Sequence, residues 1–109
     1  MENKKFKFFY LQQSSEKLLK IQCLFEEFDS EIIEEAKGVF QVVTLGTKFE
    51  VSLYLDKPKS LSPKFINLVL GFASDLFSEQ RHFTIYYPPE SFSFYIQKFK
   101  LHNLIRTAS

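Results

Sequence analysis

The chain has 109 residues, of which 45% are hydrophobic and 25% are charged, and its formal net charge is +1. This length predicts a single domain spanning residues 1–109, and the balanced composition excludes a chain that is disordered throughout. A charge so close to zero gives no general attraction to a polyanion, so nucleic-acid binding would need a local basic patch. The 14 phenylalanines and the absence of tryptophan indicate a core built largely from phenylalanine.

Cysteine usage and the first residues predict a cytoplasmic protein. Cys23 is the only cysteine, so no disulfide can form within the chain and a reducing compartment is expected. The apolar run 8–11 is too short for a signal peptide or a membrane span. No association with a membrane is therefore expected.

The first two elements are predicted to be a strand and a long helix. Residues 5–11 place aromatic side chains on both sides of an extended segment, with Lys7 and Phe9 on the same side. From residue 16 to 37, apolar residues recur every three or four positions, which indicates an amphipathic helix with a possible break near Asp29. The apolar residues of 17–25 also alternate, so a strand there is the alternative.

A change of period then predicts a β-hairpin. Residues 39–45 and 48–56 are rich in β-branched and aromatic side chains, which are typical of strands. Between them, Gly46 and Thr47 fit a two-residue turn.

Clear boundary signals mark the second helix. Ser62 is the predicted N-cap, Pro63 suits the first helical position, and a broad apolar stripe continues to about Gln80. The opposite side of this helix carries small residues and is either simply exposed or a contact surface; they are Asn67, Gly71, Ser74 and Ser78.

The fold class follows from one more strand, residues 81–87, which Pro88 and Pro89 end. The order strand, helix, strand, strand, helix, strand predicts an α+β, ferredoxin-like split βαββαβ sandwich. Its four-stranded antiparallel sheet would carry two helices on one face, with an extra C-terminal helix or strand. One helix followed by a β-meander and a closing helix is the alternative.

An open sheet face is the main functional consequence of this fold. In the predicted sheet the strands carrying Tyr86, Phe9 and Tyr54 are adjacent, so three aromatic side chains would align on the face without helices. Exposed aromatic patches usually mark contact with another molecule.

The C-terminal segment, residues 90–109, adds further aromatic surface. Both helical spacing and strand alternation fit its apolar residues. We interpret the segment as an appended element that either seals the core or forms an interface. In both arrangements one apolar side remains to be buried, which favours a homodimer or a protein partner; the simpler alternative is that the segment only completes the core of the monomer.

Catalytic and cofactor-binding patterns are not found in the sequence. His82, His102 and Cys23 are too far apart in sequence for a typical metal site. The three glycines stand singly, so no phosphate-binding loop is predicted. We therefore predict neither enzymatic activity nor a metal, cofactor or small-molecule substrate.

The favoured function is that of a small protein-binding domain, acting as an adaptor, a complex subunit or a stoichiometric inhibitor. Its predicted partner-binding residues are Phe9, Tyr54, Tyr86, Phe92, Phe94, Tyr95, Phe99, Leu101 and Ile105. The alternative is binding of single-stranded nucleic acid through aromatic stacking and four basic residues, Lys7, Lys98, Lys100 and Arg106. The acidic residues Glu50 and Asp56 on the same predicted surface count against this alternative.

Overall fold

The computed structural model describes residues 3–109, which form six strands, three α-helices and one 3₁₀ helix. The strands are β1 (Lys4–Lys5), β2 (Phe9–Gln13), β3 (Leu18–Cys23), β4 (Glu50–Tyr54), β5 (Phe83–Tyr86) and β6 (Arg106–Ala108). The helices are α1 (Glu31–Gly46), α2 (Pro63–Ser78) and α3 (Glu90–Lys98), and the 3₁₀ helix spans Leu101–Asn103.

All six strands join one mixed sheet in the order in which they occur along the chain. β1, β2 and β3 pair antiparallel, whereas β3 to β6 are parallel. The predicted α+β class, a sheet with helices packed on one face, is therefore confirmed. The predicted four-stranded antiparallel sheet is wrong, because the sheet is mixed and has six strands. Parallel neighbours require long crossover connections, and each of these connections contains one of the helices.

The crossovers place the three helices on one face of the sheet. β3 to β6 advance in a single direction, and right-handed crossovers that advance in one direction all pass over the same face. Burial agrees with this arrangement, because alternate strand residues such as Leu19, Leu53 and Ile85 are fully buried in one cluster with residues from every helix. The opposite face of the sheet has no helix on it.

The predicted β-hairpin is wrong in its first arm. Residues 39–45 form the second half of α1, where Val39, Phe40 and Val43 continue the buried stripe that starts at Ile32. Burial of a helical face outweighs the modest preference of β-branched residues for strands. The second arm does form a strand, β4, but it pairs in parallel with β3 and β5.

The predicted long helix is also corrected, in favour of the alternative. Residues 18–23 form β3, in which Leu19, Ile21 and Cys23 are buried in alternation. The helix begins only at Glu31, immediately after the predicted break, and the side chain of Asp29 accepts a hydrogen bond of 2.8 Å from the backbone N–H of Glu31.

The second helix has the predicted boundaries at its start. The Oγ of Ser62 accepts a hydrogen bond of 3.1 Å from the backbone N–H of Phe65, and Pro63 is the first helical residue. The small residues opposite the buried stripe are exposed. β5 follows as predicted and ends before Pro88.

The C-terminal segment contains both of the predicted alternatives, because α3 is followed by the 3₁₀ helix and then by β6. Phe92, Ile96 and Ile105 are buried in the common core. Phe94 and Phe99 are more than half exposed, at 63% and 51%. The segment therefore completes the core with one side and leaves the other side in solvent.

A buried arginine joins the end of α1 to the start of β4. The last turn of α1 contains no basic residue, but the guanidinium of Arg81 donates to the carbonyl oxygens of Val43, Thr44 and Phe49 at 3.2, 3.3 and 2.7 Å. A cation at this end of a helix offsets the negative end of its dipole. The same guanidinium lies 2.8 Å from a carboxylate oxygen of Glu79 and holds the pKa of that group below its usual value.

Candidate functional site

The face of the sheet that points away from the helices is here called the open sheet face. Most of its strand side chains are partly exposed, and many are polar or aromatic. The strand register defines its two central rows: Tyr10, Gln22, Tyr54, Tyr86 and Ala108 in one, and Gln12, Lys20, Ser52, Thr84 and Arg106 in the other.

Three tyrosines form a cluster on this face, called here the tyrosine cluster: Tyr54, Tyr86 and Tyr87. Tyr54 and Tyr86 are directly opposite each other on β4 and β5, and neighbouring strands lie about 4.8 Å apart. Their rings stack face to face with centroids 4.5 Å apart and an interplanar angle of 3°. The ring of Tyr87 is 6.3 Å from both centroids and is tilted by 52° to each ring.

Polar side chains from β3 and from the end of β4 surround the stack on one side. The Nζ of Lys20 lies 4.2 Å from the centroid of the Tyr54 ring, within the range of a cation–π interaction. Beside it, Gln22 donates a hydrogen bond of 2.8 Å to Asp56. Tyr54 is thus covered by Tyr86 on one ring face and by Lys20 on the other.

One ring face of Tyr86 is turned away from Tyr54. This face is turned towards β6, where the residue opposite Tyr86 is Ala108, whose methyl group is too small to cover an aromatic ring. Tyr87 is equally distant from the two stacked rings, so it lies beside the stack and not on the outer face of Tyr86. A planar side chain from another molecule could extend the stack at this position.

The backbone of Tyr87 has a left-handed conformation, with φ at 57°, which is uncommon for residues other than glycine. Its N–H donates a hydrogen bond of 2.8 Å to the carbonyl oxygen of Ala108, and this bond helps to hold the turn. Residues in such conformations are concentrated at functional sites. Sequence analysis did not single out Tyr87, although its position before two prolines was a signal of an unusual turn.

The electrostatic environment of Tyr54 disfavours its ionised form. Burial raises the pKa of the Tyr54 phenol, and the neighbouring phenols of Tyr86 and Tyr87 and the carboxylate of Asp56 raise it further. The phenolate is therefore less favourable in the folded protein than in the unfolded chain. The consequent loss of stability begins as the pH rises past the ordinary tyrosine pKa of about 10.

We expect a Tyr54→Phe variant to lose a titration step that lies above the ordinary tyrosine pKa, because the phenylalanine ring keeps the stack but removes the phenol. The measurement is the near-ultraviolet absorbance of phenolate as a function of pH in the folded protein. If the wild type and Tyr54→Phe differed only in a step at or below the ordinary pKa, the described environment of Tyr54 would be incorrect.

The predicted partner-binding residues do not form one surface. Tyr54 and Tyr86 lie together on the open sheet face, as predicted, but Phe9 is fully buried in the core. The segment at residues 6–8 is a turn between β1 and β2, so the alternation starts at Phe9, and Tyr10 takes the place on the open face. Phe92 and Ile105 are also buried, which corrects their predicted position at a surface.

The remaining predicted residues are on the other side of the sheet, in or next to α3. Phe94 and Phe99 are exposed there, and the ring of Tyr95 lies 4.6 Å from that of Phe99. Leu101 is partly buried against the core. The sheet itself separates these residues from the tyrosine cluster.

The basic residues proposed for the nucleic-acid alternative are also dispersed. Lys7 forms an ion pair of 2.8 Å with Glu31 at the start of α1. Lys98 and Lys100 lie at the end of α3. Of the four, Arg106 alone belongs to the open sheet face.

Residues 3–109 contain no group of three or more histidine, cysteine, aspartate or glutamate side chains that could hold a metal ion. Cys23 is fully buried, and burial raises the pKa of its thiol far above the ordinary value, which suppresses the reactive thiolate. His82 is 3.4 Å from a carboxylate oxygen of Glu50 at the start of β4. No helix in the same part of the chain is both long and apolar enough to span a membrane.

Solved structures with a similar fold include anti-sigma-factor antagonists. The Bacillus cell fate determinant SpoIIAA in its phosphorylated form has a TM-score of 0.77 at 17% identity, and the match covers 93% of this chain and 91% of that one. For an anti-sigma-factor antagonist (STAS) domain protein from Planctomyces limnophilus the TM-score is 0.75 at 13% identity, with 93% and 89% covered. The unphosphorylated form of SpoIIAA matches with a TM-score of 0.70 at 15% identity, covering 93% and 86%.

These likenesses show that the chain has the α+β fold of STAS domains, with a mixed six-stranded sheet and three helices. Sequence comparison adds no relative, since no protein-family model and no curated protein matches the chain.

Proposed function

We propose that this chain is a non-catalytic protein-binding domain that acts as an adaptor, a complex subunit or an inhibitor. Its partner docks on the open sheet face, around the tyrosine cluster. The observation that carries this proposal is the stacked pair Tyr54 and Tyr86 on the open sheet face, with the exposed ring of Tyr87 beside it. The fold supports it as well, because the similar solved structures are antagonists of another regulatory protein.

The chemistry of the cluster suits a protein interface. Tyrosine is enriched among the residues that dominate binding energy, because its rigid ring buries a large area at a low cost in conformational entropy. Tyr87 contributes the most exposed ring of the three, at 48%. Lys20, Gln22 and Asp56 supply the polar rim that surrounds the apolar centre of a typical interface.

Charge also favours a protein over a nucleic acid as the partner. The open sheet face carries Lys20 and Arg106, but Glu50 and Asp56 are at its edges, so it has no uniformly basic track for a phosphate backbone. A protein partner can match such a mixed pattern residue by residue.

Affinity capture from the cells that naturally produce the chain tests the proposal. We expect the wild type to capture a protein partner and the double variant Tyr54→Ser/Tyr86→Ser to bind it at least about 30-fold more weakly, because truncating one such tyrosine typically costs about 2 kcal/mol. The matched control is Phe94→Ser/Phe99→Ser, which removes two exposed aromatic rings on the other side of the sheet and should keep the partner.

Two results would contradict the proposal. If the partner were lost from the Phe94/Phe99 variant and kept by the Tyr54/Tyr86 variant, the interface would lie on α3 and not on the open sheet face. Recovery of nucleic acid that nuclease treatment removes, with a strong dependence on salt, would favour the single-stranded nucleic-acid alternative. Circular dichroism of each variant establishes that it is folded.

A further inference from the structure

The outer side of α1 and α2 forms a second surface that the proposed function does not use. Both helices return between parallel strands, so they run parallel to each other and leave a groove along their outer seam. This groove consists of two adjoining depressions of about 440 and 550 Å³, which share Lys37, Asn67 and Leu68.

Four residues of α2 form a row along this groove: Lys64, Leu68, Gly71 and Asp75. Their spacings of four, three and four residues keep them on one side of the helix. A methyl group added at Gly71 would meet nothing within 4 Å, so the row has a gap next to Leu68, whose side chain is partly buried against the core. Its ends carry opposite charges, and neither Lys64 nor Asp75 takes part in the ion pairs formed within residues 3–109.

Exposed apolar side chains lie near both ends of the groove. Phe28, which is 37% exposed, lines the depression that contains Lys64. Leu45, at 73% exposure, lines the depression that contains Asp75. Glu34 and Lys37 also line the groove, but they pair with each other at 3.3 Å. The charges at the two ends that have no ion pair within residues 3–109 are therefore Lys64 and Asp75, which differ in sign.

We propose that a second copy of this chain covers the groove, with the two α2 helices antiparallel about a two-fold axis. In this arrangement Lys64 pairs with the partner's Asp75, and Asp75 pairs with the partner's Lys64. Leu68 enters the gap at the partner's Gly71. At each end, Leu45 packs against the partner's Phe28.

A single register satisfies all of these contacts. Two antiparallel helices can pair Lys64 with the partner's Asp75 and Leu68 with its Gly71 in the same register only if the two spacings along the helix are equal. They are equal, because Lys64 and Leu68 are four residues apart, as are Gly71 and Asp75. The two-fold axis also exchanges the ends of the groove, which brings Leu45 to the end at which the partner's Phe28 lies. A surface that matches its own copy in this way is typical of a two-fold, isologous dimer.

The contacts have different roles. Exposed ion pairs contribute little affinity, so the charges mainly select the register, while the apolar side chains supply most of the attraction. The dimer surface lies on the opposite side of the sheet from the tyrosine cluster, and this proposal therefore does not rest on the proposed function. It also differs from the expectation that residues 90–109 form a homodimer.

Sedimentation velocity of the full chain across a concentration series tests the proposal. We expect the wild type to form dimers, and Lys64→Asp or Asp75→Lys alone to raise the dimer dissociation constant at least ten-fold by placing like charges opposite each other at two positions. The charge-swapped variant Lys64→Asp/Asp75→Lys should restore dimer formation. Since both positions are exposed, the fold of each variant should be unaffected.

A second pair of variants tests the apolar contact. Gly71→Leu fills the gap that receives the partner's Leu68 and should abolish dimer formation while the monomer stays folded. Thr84→Leu also introduces a leucine, but on the open sheet face, on the other side of the sheet from the groove, and should leave the dimer intact. A wild type that stays monomeric at every concentration, or a dimer that no single variant weakens, would overturn the proposal.

Discussion

Replacing Phe9 by alanine is expected to lower the free energy of unfolding by about 3–5 kcal/mol. Phe9 is fully buried, and its ring lies 5.9 Å from that of Phe25 and 6.3 Å from those of Phe40 and Phe65. The substitution leaves a cavity where β2, α1 and α2 meet. Chemical denaturation of the purified variant measures the loss.

The neighbouring residue provides the control for this prediction. Tyr10 points to the open sheet face and is only partly buried, so Tyr10→Ala should cost about 1 kcal/mol or less. If Tyr10→Ala were as destabilising as Phe9→Ala, the assignment of the two faces of β2 would be wrong.

Removing the guanidinium of Arg81 is expected to have an effect of similar size. In Arg81→Met the carbonyl oxygens of Thr44 and Phe49 lose the guanidinium donor, whereas that of Val43 still accepts a hydrogen bond from the Thr47 hydroxyl, and the end of α1 loses its compensating cation. Each buried carbonyl oxygen left without a donor typically costs about 1–3 kcal/mol, so the combined loss should reach several kcal/mol. The readout is the midpoint of denaturant unfolding at neutral pH.

Two variants separate this effect from the loss of a positive charge in general. Arg81→Lys keeps the charge but lacks the planar fork that reaches three carbonyl groups, so it should recover only part of the stability. Lys48→Met removes an ion pair of 3.4 Å with Glu79 whose lysine is 79% exposed, and it should change stability by less than about 1 kcal/mol. A large effect of Lys48→Met would show that surface charge, and not the buried network, is responsible.

The two proposed surfaces are compatible with each other. A dimer formed through the outer side of α1 and α2 leaves both open sheet faces uncovered. Each dimer would then present two tyrosine clusters, and a partner with two binding segments would gain affinity from the raised effective concentration of the second segment. Dimer-disrupting variants such as Lys64→Asp should weaken the capture of such a partner without changing its contact with Tyr86.

Local chemistry made several elements predictable from the sequence. Ser62 and Pro63 mark the start of α2 because a side-chain acceptor and a residue without an N–H suit the first turn of a helix. Pro88 and Pro89 end β5 because they cannot donate to a sheet. Each of these signals acts over a few residues and does not depend on the rest of the fold.

The candidate site was only partly predictable. The placement of Tyr54 and Tyr86 on an open sheet face followed from strand alternation, which depends on the sequence alone. Predicting the stack would also have required the exact register between β4 and β5. Predicting the contribution of Lys20 would have required the order of the strands, and predicting that of Tyr87 the shape of the turn after β5. Phe9 was misplaced because the turn at residues 6–8 shifted the alternation by one position.

By itself, the sequence determined the α+β class, the core rich in phenylalanine, the start of α2, the end of β5 before Pro88, and the presence of aromatic side chains on a sheet face. Tertiary structure decided that residues 18–23 form a central strand and that residues 39–45 extend a helix, since the spacing of their apolar side chains suits both structures. It also decided the parallel order of β3 to β6 and the position of Arg81. These features depend on which surfaces are buried against each other, and contacts between residues far apart in sequence determine that burial.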